Sequence, residues 1–123
     1  MMREWEEGGY DAIITLASPM PAISPDVVSS VITGACYNAV YNLTGSPAGI
    51  LPVTRVTPED DAALDSYPLD YPEGFDYCNK IARDSSRGAV GCPLGVQVVG
   101  RHFQEETVIH VMEIIENIVK YKK

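Results

Sequence analysis

The sequence predicts an α/β fold in which a mixed sheet is flanked by helices, and three observations support this. Short, nearly continuous apolar runs alternate with segments whose apolar residues recur at spacings of three and four. The resulting order is strand, helix, strand, excursion, strand, helix, which is typical of βαβ units with right-handed crossovers. Three strands with apolar faces also make a sheet too narrow to cover itself, so we expect neighbouring strands from elsewhere.

The first strand is predicted over residues 10–17, whose apolar run is typical of a strand buried on both faces of a parallel sheet. Ser24–Asp26 then supply an N-cap, a proline at the first helical position and an acid in the first turn. An apolar stripe extends this helix to about Asn42. Gly45 and Pro47 are expected to end it.

A second strand is predicted over residues 48–56, where Pro52 implies a strand end, a bulge or an edge. Thr57–Asp60 repeat the cap, proline and acid pattern and predict a short helical turn. Residues 59–76 are rich in carboxylates and contain no Lys or Arg, which predicts an exposed excursion. A short helix with a solvated basic face is expected to start near Phe75.

The last strand is predicted over residues 91–100, a turn followed by a β-branched run. Gln104 then opens the most regular helix of the sequence, which we expect to pack on the sheet. Its apolar stripe consists of Val108, Val111, Met112, Ile115, Ile118 and Val119.

Composition excludes several classes of function. The chain has 9 Lys and Arg against 17 Asp and Glu, a formal net charge of −8, so we expect no nucleic-acid partner. Its apolar runs fall far short of the roughly 20 residues that span a bilayer. The acidic N-terminus lacks the apolar core of an export signal. These features predict an intracellular protein.

Residue types that often perform catalysis are present without a catalytic spacing. Cys36, Cys78 and Cys92 lie far apart, which predicts reduced and mostly buried thiols. His102 and His110 fit no metal-ligand motif and are expected to be structural or surface residues. We therefore predict no metal and no cofactor.

Two polar clusters have simple structural interpretations. Ser85–Ser86 lack an oxyanion turn and an adjacent base, so a polar loop is expected. Glu59–Asp61 do not have the spacing of a calcium loop and are expected to act as helix-capping acids. The residues alone predict no catalytic residue in this chain.

Three blocks of the sequence resemble, in the same order, blocks of a known family. Gly91–Gly100, followed by Phe103–Glu106 and an apolar helix, resemble the C-terminal block of the amidase signature family, a Gly-Leu-Pro-x-Gly-x-Gln-like strand before an acid-headed helix. Asp11–Thr15, with Pro19 and Pro21–Ala22, resemble its Asp-x-hydrophobic-hydrophobic-Thr-Pro strand, except that Leu16 and Ala17 displace the usual proline. Tyr41–Gly49 resemble its Asn-x-x-Gly-x-Pro-Ala turn. Val53–Asp61 resemble the fatty acid amide hydrolase branch of that family.

This resemblance implies a serine hydrolase of fatty acid amides, with residues 10–123 as the C-terminal portion of an amidase domain and residues 1–9 as a preceding segment. Members of the family use a Ser, cis-Ser, Lys triad with a Gly-Gly-Ser-Ser-Gly-like loop. Nothing in these residues matches that loop or that lysine. The resemblance therefore implies a chain that is catalytically incomplete alone.

The resemblance also implies a binding role. In fatty acid amide hydrolases the helix before the Asn-x-x-Gly turn lines the acyl channel, which places Ile32, Ala35 and Ala39 on that lining and Tyr77 near an aromatic lining position. The same residues could instead simply pack on the sheet. The implied partners are a fatty acid amide substrate and a missing N-terminal amidase portion or partner chain. The family likeness also allows a homodimer of the intact enzyme and an association with membranes.

Two other classes of function stay open. The chain could be a non-catalytic interaction or lipid-binding module that reuses this end of the fold. It could also be a truncated product without independent function, and open strand edges would then favour aggregation.

Overall fold

The computed structural model describes residues 2–21, 25–29, 36–66 and 77–121. Within these ranges lie five α-helices and three strands, together with a 3₁₀ turn at 25–29. The elements are α1 Met2–Gly8, β1 Ile13–Leu16, α2 Cys36–Thr44, β2 Ala48–Arg55, α3 Pro58–Ala63, α4 Tyr77–Ser86, β3 Pro93–Val99 and α5 Glu105–Val119.

The three described strands form one open sheet in the order β1-β3-β2. β3 pairs antiparallel with both neighbours, so Val99 lies opposite Ile13 in β1 and opposite Ala48 in β2. The predicted α/β class with helices around a sheet is confirmed. The expected parallel pairing is wrong for these strands, because β3 runs between β1 and β2 in the opposite direction and separates them.

The strand β1 is not buried on both faces as expected. Its residues alternate between half-buried and exposed, and Ile14 and Leu16 are 58% and 52% exposed. A strand at the edge of a sheet, with some of its apolar side chains exposed, can therefore have the same sequence pattern as a central parallel strand. β2 is the other edge among the described strands, and its register shifts between Pro52 and Thr54. The predicted irregularity at Pro52 is confirmed, since proline cannot donate a ladder hydrogen bond.

Helix α5 packs on one face of the sheet, as predicted. Leu51, Val98 and Val108 form the buried centre of this contact, and Val98 is fully buried. Half-buried neighbours complete it: Ala12, Val53, Val96, Val111, Met112 and Ile115. Ile118 and Val119 were expected in the same stripe but are 75% and 37% exposed, because they lie in the last turn of α5, beyond Ile115, the last residue that packs on the buried centre.

The helix predicted from Ser24 to about Asn42 is only partly seen. Residues 25–29 form a 3₁₀ turn, residues 30–35 lie outside the described residues, and α2 ends at Thr44. Gly45 follows with φ +64°, a left-handed conformation that glycine adopts without strain, so the predicted end is confirmed.

The N-terminal helix α1 is an element that the sequence pattern did not indicate. Trp5 is 3% exposed, and its indole Nε1 donates a hydrogen bond of 2.6 Å to the carbonyl oxygen of Tyr10. This bond connects α1 to the residues that enter β1.

The acidic excursion predicted for residues 59–76 is described up to Ser66, and residues 67–76 lie outside the described residues. α3 has no buried residue, in agreement with an exposed segment.

Among the residues that the structure describes, no helix combines the length and the apolar character that crossing a bilayer requires.

Candidate functional site

The structure places only part of the acyl-channel wall that the resemblance implies. Ala39 lies in the middle of α2 and is half-buried. Tyr77 is the first residue of α4, but its side chain lies outside the described part of the structure. Ile32 and Ala35 also lie outside it. The four residues therefore stay a prediction, since nothing in the described geometry brings them together.

The sequence blocks that carry the resemblance do meet in space. The block that contains β1 pairs with β3 from Ile13 opposite Val99 to Leu16 opposite Val96. The turn after α2 approaches the end of β3, where the Gly100 N–H donates a hydrogen bond of 2.9 Å to the Pro47 carbonyl oxygen. Segments far apart in sequence thus form one continuous structure around β3.

A cavity of about 500 Å³ opens where β1 ends, and we call it the strand-end cavity. Its wall is mostly apolar and comes from the segment after β1, from β2 and β3 and from α3. The lining residues are Leu16, Ser18, Pro19, Met20, Pro21, Val53, Thr54, Val56, Asp60, Asp61, Leu64, Ser86, Leu94, Gly95 and Val96. None of the four residues predicted to bind the acyl chain is among them, and the sequence analysis did not identify this cavity.

Helix α3 brings two carboxylates to the strand-end cavity. Its N-cap is Thr57, whose hydroxyl oxygen accepts a hydrogen bond of 3.1 Å from the Asp60 N–H. In return, the Asp60 carboxylate accepts hydrogen bonds from the Thr57 N–H at 2.8 Å and from the Thr57 hydroxyl at 2.9 Å. This reciprocal capping box confirms the predicted helix start and the predicted capping role of Asp60.

The capping box favours the ionised form of Asp60. The hydrogen bond from the Thr57 backbone N–H, followed by that from its hydroxyl, lowers the pKa of the Asp60 carboxyl from the ordinary value of 3.8. Both donors stabilise the ionised carboxylate more than the protonated acid. Asp60 is therefore an anion throughout the physiological range of pH.

Neighbouring contacts hold α3 against the loop that follows α4. The Asp61 carboxylate accepts a hydrogen bond of 2.9 Å from the Gly88 N–H. The Arg87 guanidinium donates to Asp65 at 2.7 Å, and this bond and the charge of Asp65 raise the pKa of Arg87. These bonds attach the first part of the acidic excursion to the loop after α4, next to the strand-end cavity.

Potential nucleophiles in the described residues include Ser86 and two cysteines. Ser85 and Ser86 lie in α4, so the predicted polar loop is wrong, and the Ser86 hydroxyl donates to the Ala82 carbonyl oxygen at 2.8 Å. Cys36 is exposed and Cys92 is half-buried, so the expectation of mostly buried thiols is wrong for these two, and the side chain of Cys78 lies outside the described residues. A buried thiol was expected from residue type, but Cys36 begins a helix that has no buried residue.

The two histidines occupy the positions expected of structural or surface residues. His110 is exposed on α5, with its Nδ1 3.9 Å from a Glu113 carboxylate oxygen. His102 is half-buried beside the turn before β2, and a Cβ on Gly45 would lie 3.4 Å from its Cε1. No group of three or more potential metal ligands occurs among the residues that the structure describes.

Comparison with known proteins gives relatives that share one type of activity. The chain is 40% identical over 112 residues to fatty acid amide hydrolase 1 of Caenorhabditis elegans. The aligned region covers 91% of this chain and 19% of that protein. It is 29% identical over 123 residues to fatty-acid amide hydrolase 1 of Sus scrofa, covering 97% of this chain and 20% of the relative. An amidase of Gibberella zeae is 30% identical over 92 residues, covering 68% of this chain and 16% of that relative.

No family model matches the chain. The chain spans about one fifth of the length of the two fatty acid amide hydrolases. The similarity to them nevertheless extends over nearly all of its residues, including the three blocks that meet around β3. By sequence, the chain is thus an amidase signature, fatty acid amide hydrolase-like polypeptide.

Proposed function

We propose that this polypeptide forms part of a serine amidase that hydrolyses fatty acid amides to fatty acid and amine. In this proposal it completes the central sheet, contributes a wall of the acyl pocket and is catalytically incomplete alone. The observation that carries the proposal is the 40% identity to a fatty acid amide hydrolase over 91% of this chain but only 19% of the relative. The remaining amidase portion would then supply the nucleophile.

The open edges of the sheet support this proposal. Among the described strands, β1 and β2 each have a neighbour on one side only. Both carry exposed apolar side chains, and Ile50 of β2 is 56% exposed. Unpaired edges with exposed apolar residues favour pairing with further strands.

A buried polar atom in the central strand also supports it. Gln97 is 3% exposed, and its side-chain oxygen Oε1 has no hydrogen-bond donor among the described residues. Leaving such an oxygen unpaired costs about 1–3 kcal/mol, so a donor from another segment would stabilise the sheet.

A chimeric enzyme tests the proposal directly. In Caenorhabditis elegans fatty acid amide hydrolase 1, the segment similar to this chain would be replaced by residues 10–123, and hydrolysis of oleamide would be measured. We expect the chimera to hydrolyse oleamide and the same enzyme lacking the segment to be inactive. A well-folded chimera without activity would contradict the proposal and favour a non-catalytic binding module.

The isolated chain provides the complementary test. A serine-reactive fluorophosphonate probe should not label the purified 123-residue polypeptide, whereas it should label the active chimera. Labelling of the isolated polypeptide at a serine, with hydrolysis of oleamide, would contradict the proposed dependence on a second portion.

A further inference from the structure

We propose that the strand-end cavity binds a small amphiphile that has an alkyl tail and a primary ammonium head. This goes beyond the proposed function, because the residues involved differ from the predicted acyl-channel residues and the binding requires no hydrolysis. The cavity combines an apolar wall with negative charge at its α3 side.

The size and lining of the cavity suit an alkyl tail. Its volume of about 500 Å³ lies within the range of roughly 300–1,000 Å³ found for small-molecule sites. Leu16, Met20 and Val96 contribute to a wall in which apolar side chains predominate. Each methylene that leaves water for such a wall strengthens binding by about fourfold.

The α3 side of the cavity is negatively charged. Asp60 and Asp61 both contribute to its lining. The hydrogen bonds that these carboxylates accept come from uncharged groups, namely the Thr57 N–H and hydroxyl and the Gly88 N–H, so their charges are not neutralised by these bonds. The nearby Arg87 guanidinium is bound to Asp65 at 2.7 Å and its charge also interacts with Asp84 and Asp61, so it compensates Asp61 in part and leaves Asp60 as the less compensated carboxylate.

This arrangement distinguishes between three classes of amphiphile. A primary ammonium can donate hydrogen bonds to carboxylate oxygens and gains from their charge. An uncharged alcohol would gain only the burial of its tail. A fatty carboxylate would be repelled by Asp60 and Asp61 and by the overall charge of −8. The preferred ligand is therefore the amine.

The test uses the full 123-residue chain and three ligands with the same tail. Decylamine, decanol and decanoate would be titrated calorimetrically at about pH 7, below the critical micelle concentrations of decylamine and decanoate and below the solubility limit of decanol. We expect decylamine to bind about 3–10-fold more tightly than decanol and decanoate to bind least. Added salt should reduce the advantage of decylamine over decanol. Equal affinity for decylamine and decanoate, or no binding of any of the three, would overturn the proposal.

Matched charge variants locate the binding site. Asp60→Asn and Asp61→Asn retain an acceptor oxygen for their present donors and remove only the charge. Each should reduce the ratio of decylamine to decanol affinity by about 2–5-fold. Asp11→Asn is the control, because Asp11 is exposed and does not line the cavity. An equal reduction by Asp11→Asn would overturn the proposal, since it would indicate a response to net charge alone.

A cavity-filling variant tests the apolar part of the site. Leu64 lies at the end of α3 and lines the cavity. Leu64→Trp should weaken the binding of decylamine and decanol alike, while circular dichroism and the melting temperature show that the chain stays folded. Unchanged affinities in this folded variant would place the ligands elsewhere and overturn the proposal.

Discussion

Gly100 lies directly against Val108 at the junction of β3 and α5. A Cβ atom on Gly100 would stand 2.6 Å from Val108 Cγ2 and 3.2 Å from the Gln104 carbonyl oxygen. Glycine therefore allows the turn after β3 to pack closely on the first turn of α5. The hydrogen bond from the Gly100 N–H to the Pro47 oxygen attaches the turn before β2 to the same point.

Adding one methyl group at this junction should destabilise the fold. We expect Gly100→Ala to reduce the free energy of unfolding by about 1–3 kcal/mol, because Val108 is 4% exposed and has little room to move. Urea unfolding followed by circular dichroism measures this change. In a Val108→Ala background the same substitution should cost much less, and additive effects of the two changes would refute the proposed contact.

The pKa of the Asp60 carboxyl should depend on Thr57, because the two residues form the capping box of α3. The backbone N–H and then the hydroxyl of Thr57 lower the pKa of Asp60, so the folded-state value lies below the unfolded-state value. The resulting stabilisation is fully present above the ordinary value of 3.8 and is lost as the pH falls through the folded-state pKa. NMR titration of the Asp60 carboxyl carbon should show that Thr57→Ala raises this pKa. Thr57→Ser retains the hydroxyl and should leave it nearly unchanged; an equal rise in both variants would exclude the hydroxyl as a cause.

Trp5 should stabilise the N-terminal helix through both packing and its hydrogen bond. It is the single tryptophan of the sequence and is 3% exposed, so we expect a blue-shifted fluorescence that moves to longer wavelength on unfolding. Trp5→Ala should cost about 3–5 kcal/mol. Trp5→Phe loses the donor to Tyr10 but retains an aromatic ring, and it should cost clearly less. Red-shifted emission from the folded chain would contradict the buried position.

Ala39 tests the acyl-pocket component of the proposed function. In the active chimera, Ala39→Phe should lower kcat/KM for oleamide by about tenfold or more, which corresponds to displacing roughly two methylenes at about 0.8 kcal/mol each. Hydrolysis of a short-chain amide should change much less. Val40→Phe is the matched control, because Val40 is the neighbouring residue on α2 and is 44% exposed. Equal losses in both variants would argue against a specific role for Ala39.

Features set by neighbouring residues could be predicted from the sequence, whereas features set by distant pairing could not. Thr57 and Asp60 are three residues apart, so their capping box is visible as a local pattern. The stripe from Val108 to Val119 likewise predicted that α5 packs on the sheet, although the packed part ends at Ile115. The central position of β3 depends on pairing with two distant strands, which contain Ile13 and Ala48. No local sequence pattern specifies whether such strands pair parallel or antiparallel.

The candidate site was predictable to a smaller extent for the same reason. Ala39 came from a resemblance, and the described structure adds only that it is half-buried on α2. The strand-end cavity arises where residues as distant as Leu16, Val56 and Leu94 come together. The only indication of this cavity in the sequence is the apolar pair Met20 and Pro21 after β1, and the two prolines of that segment also fit a simple loop.

The position of β3 between two strands that precede it has a consequence for synthesis on the ribosome. β1 and β2 emerge first, yet among the described strands they do not pair with each other, and each pairs with β3. Pairing of Ile13 with Val99 must close a loop that contains most of the polypeptide, which slows folding. β1 and β2 therefore lack this partner until β3 has been synthesised, and chaperones that shield exposed strands should have their largest effect on yield during that interval.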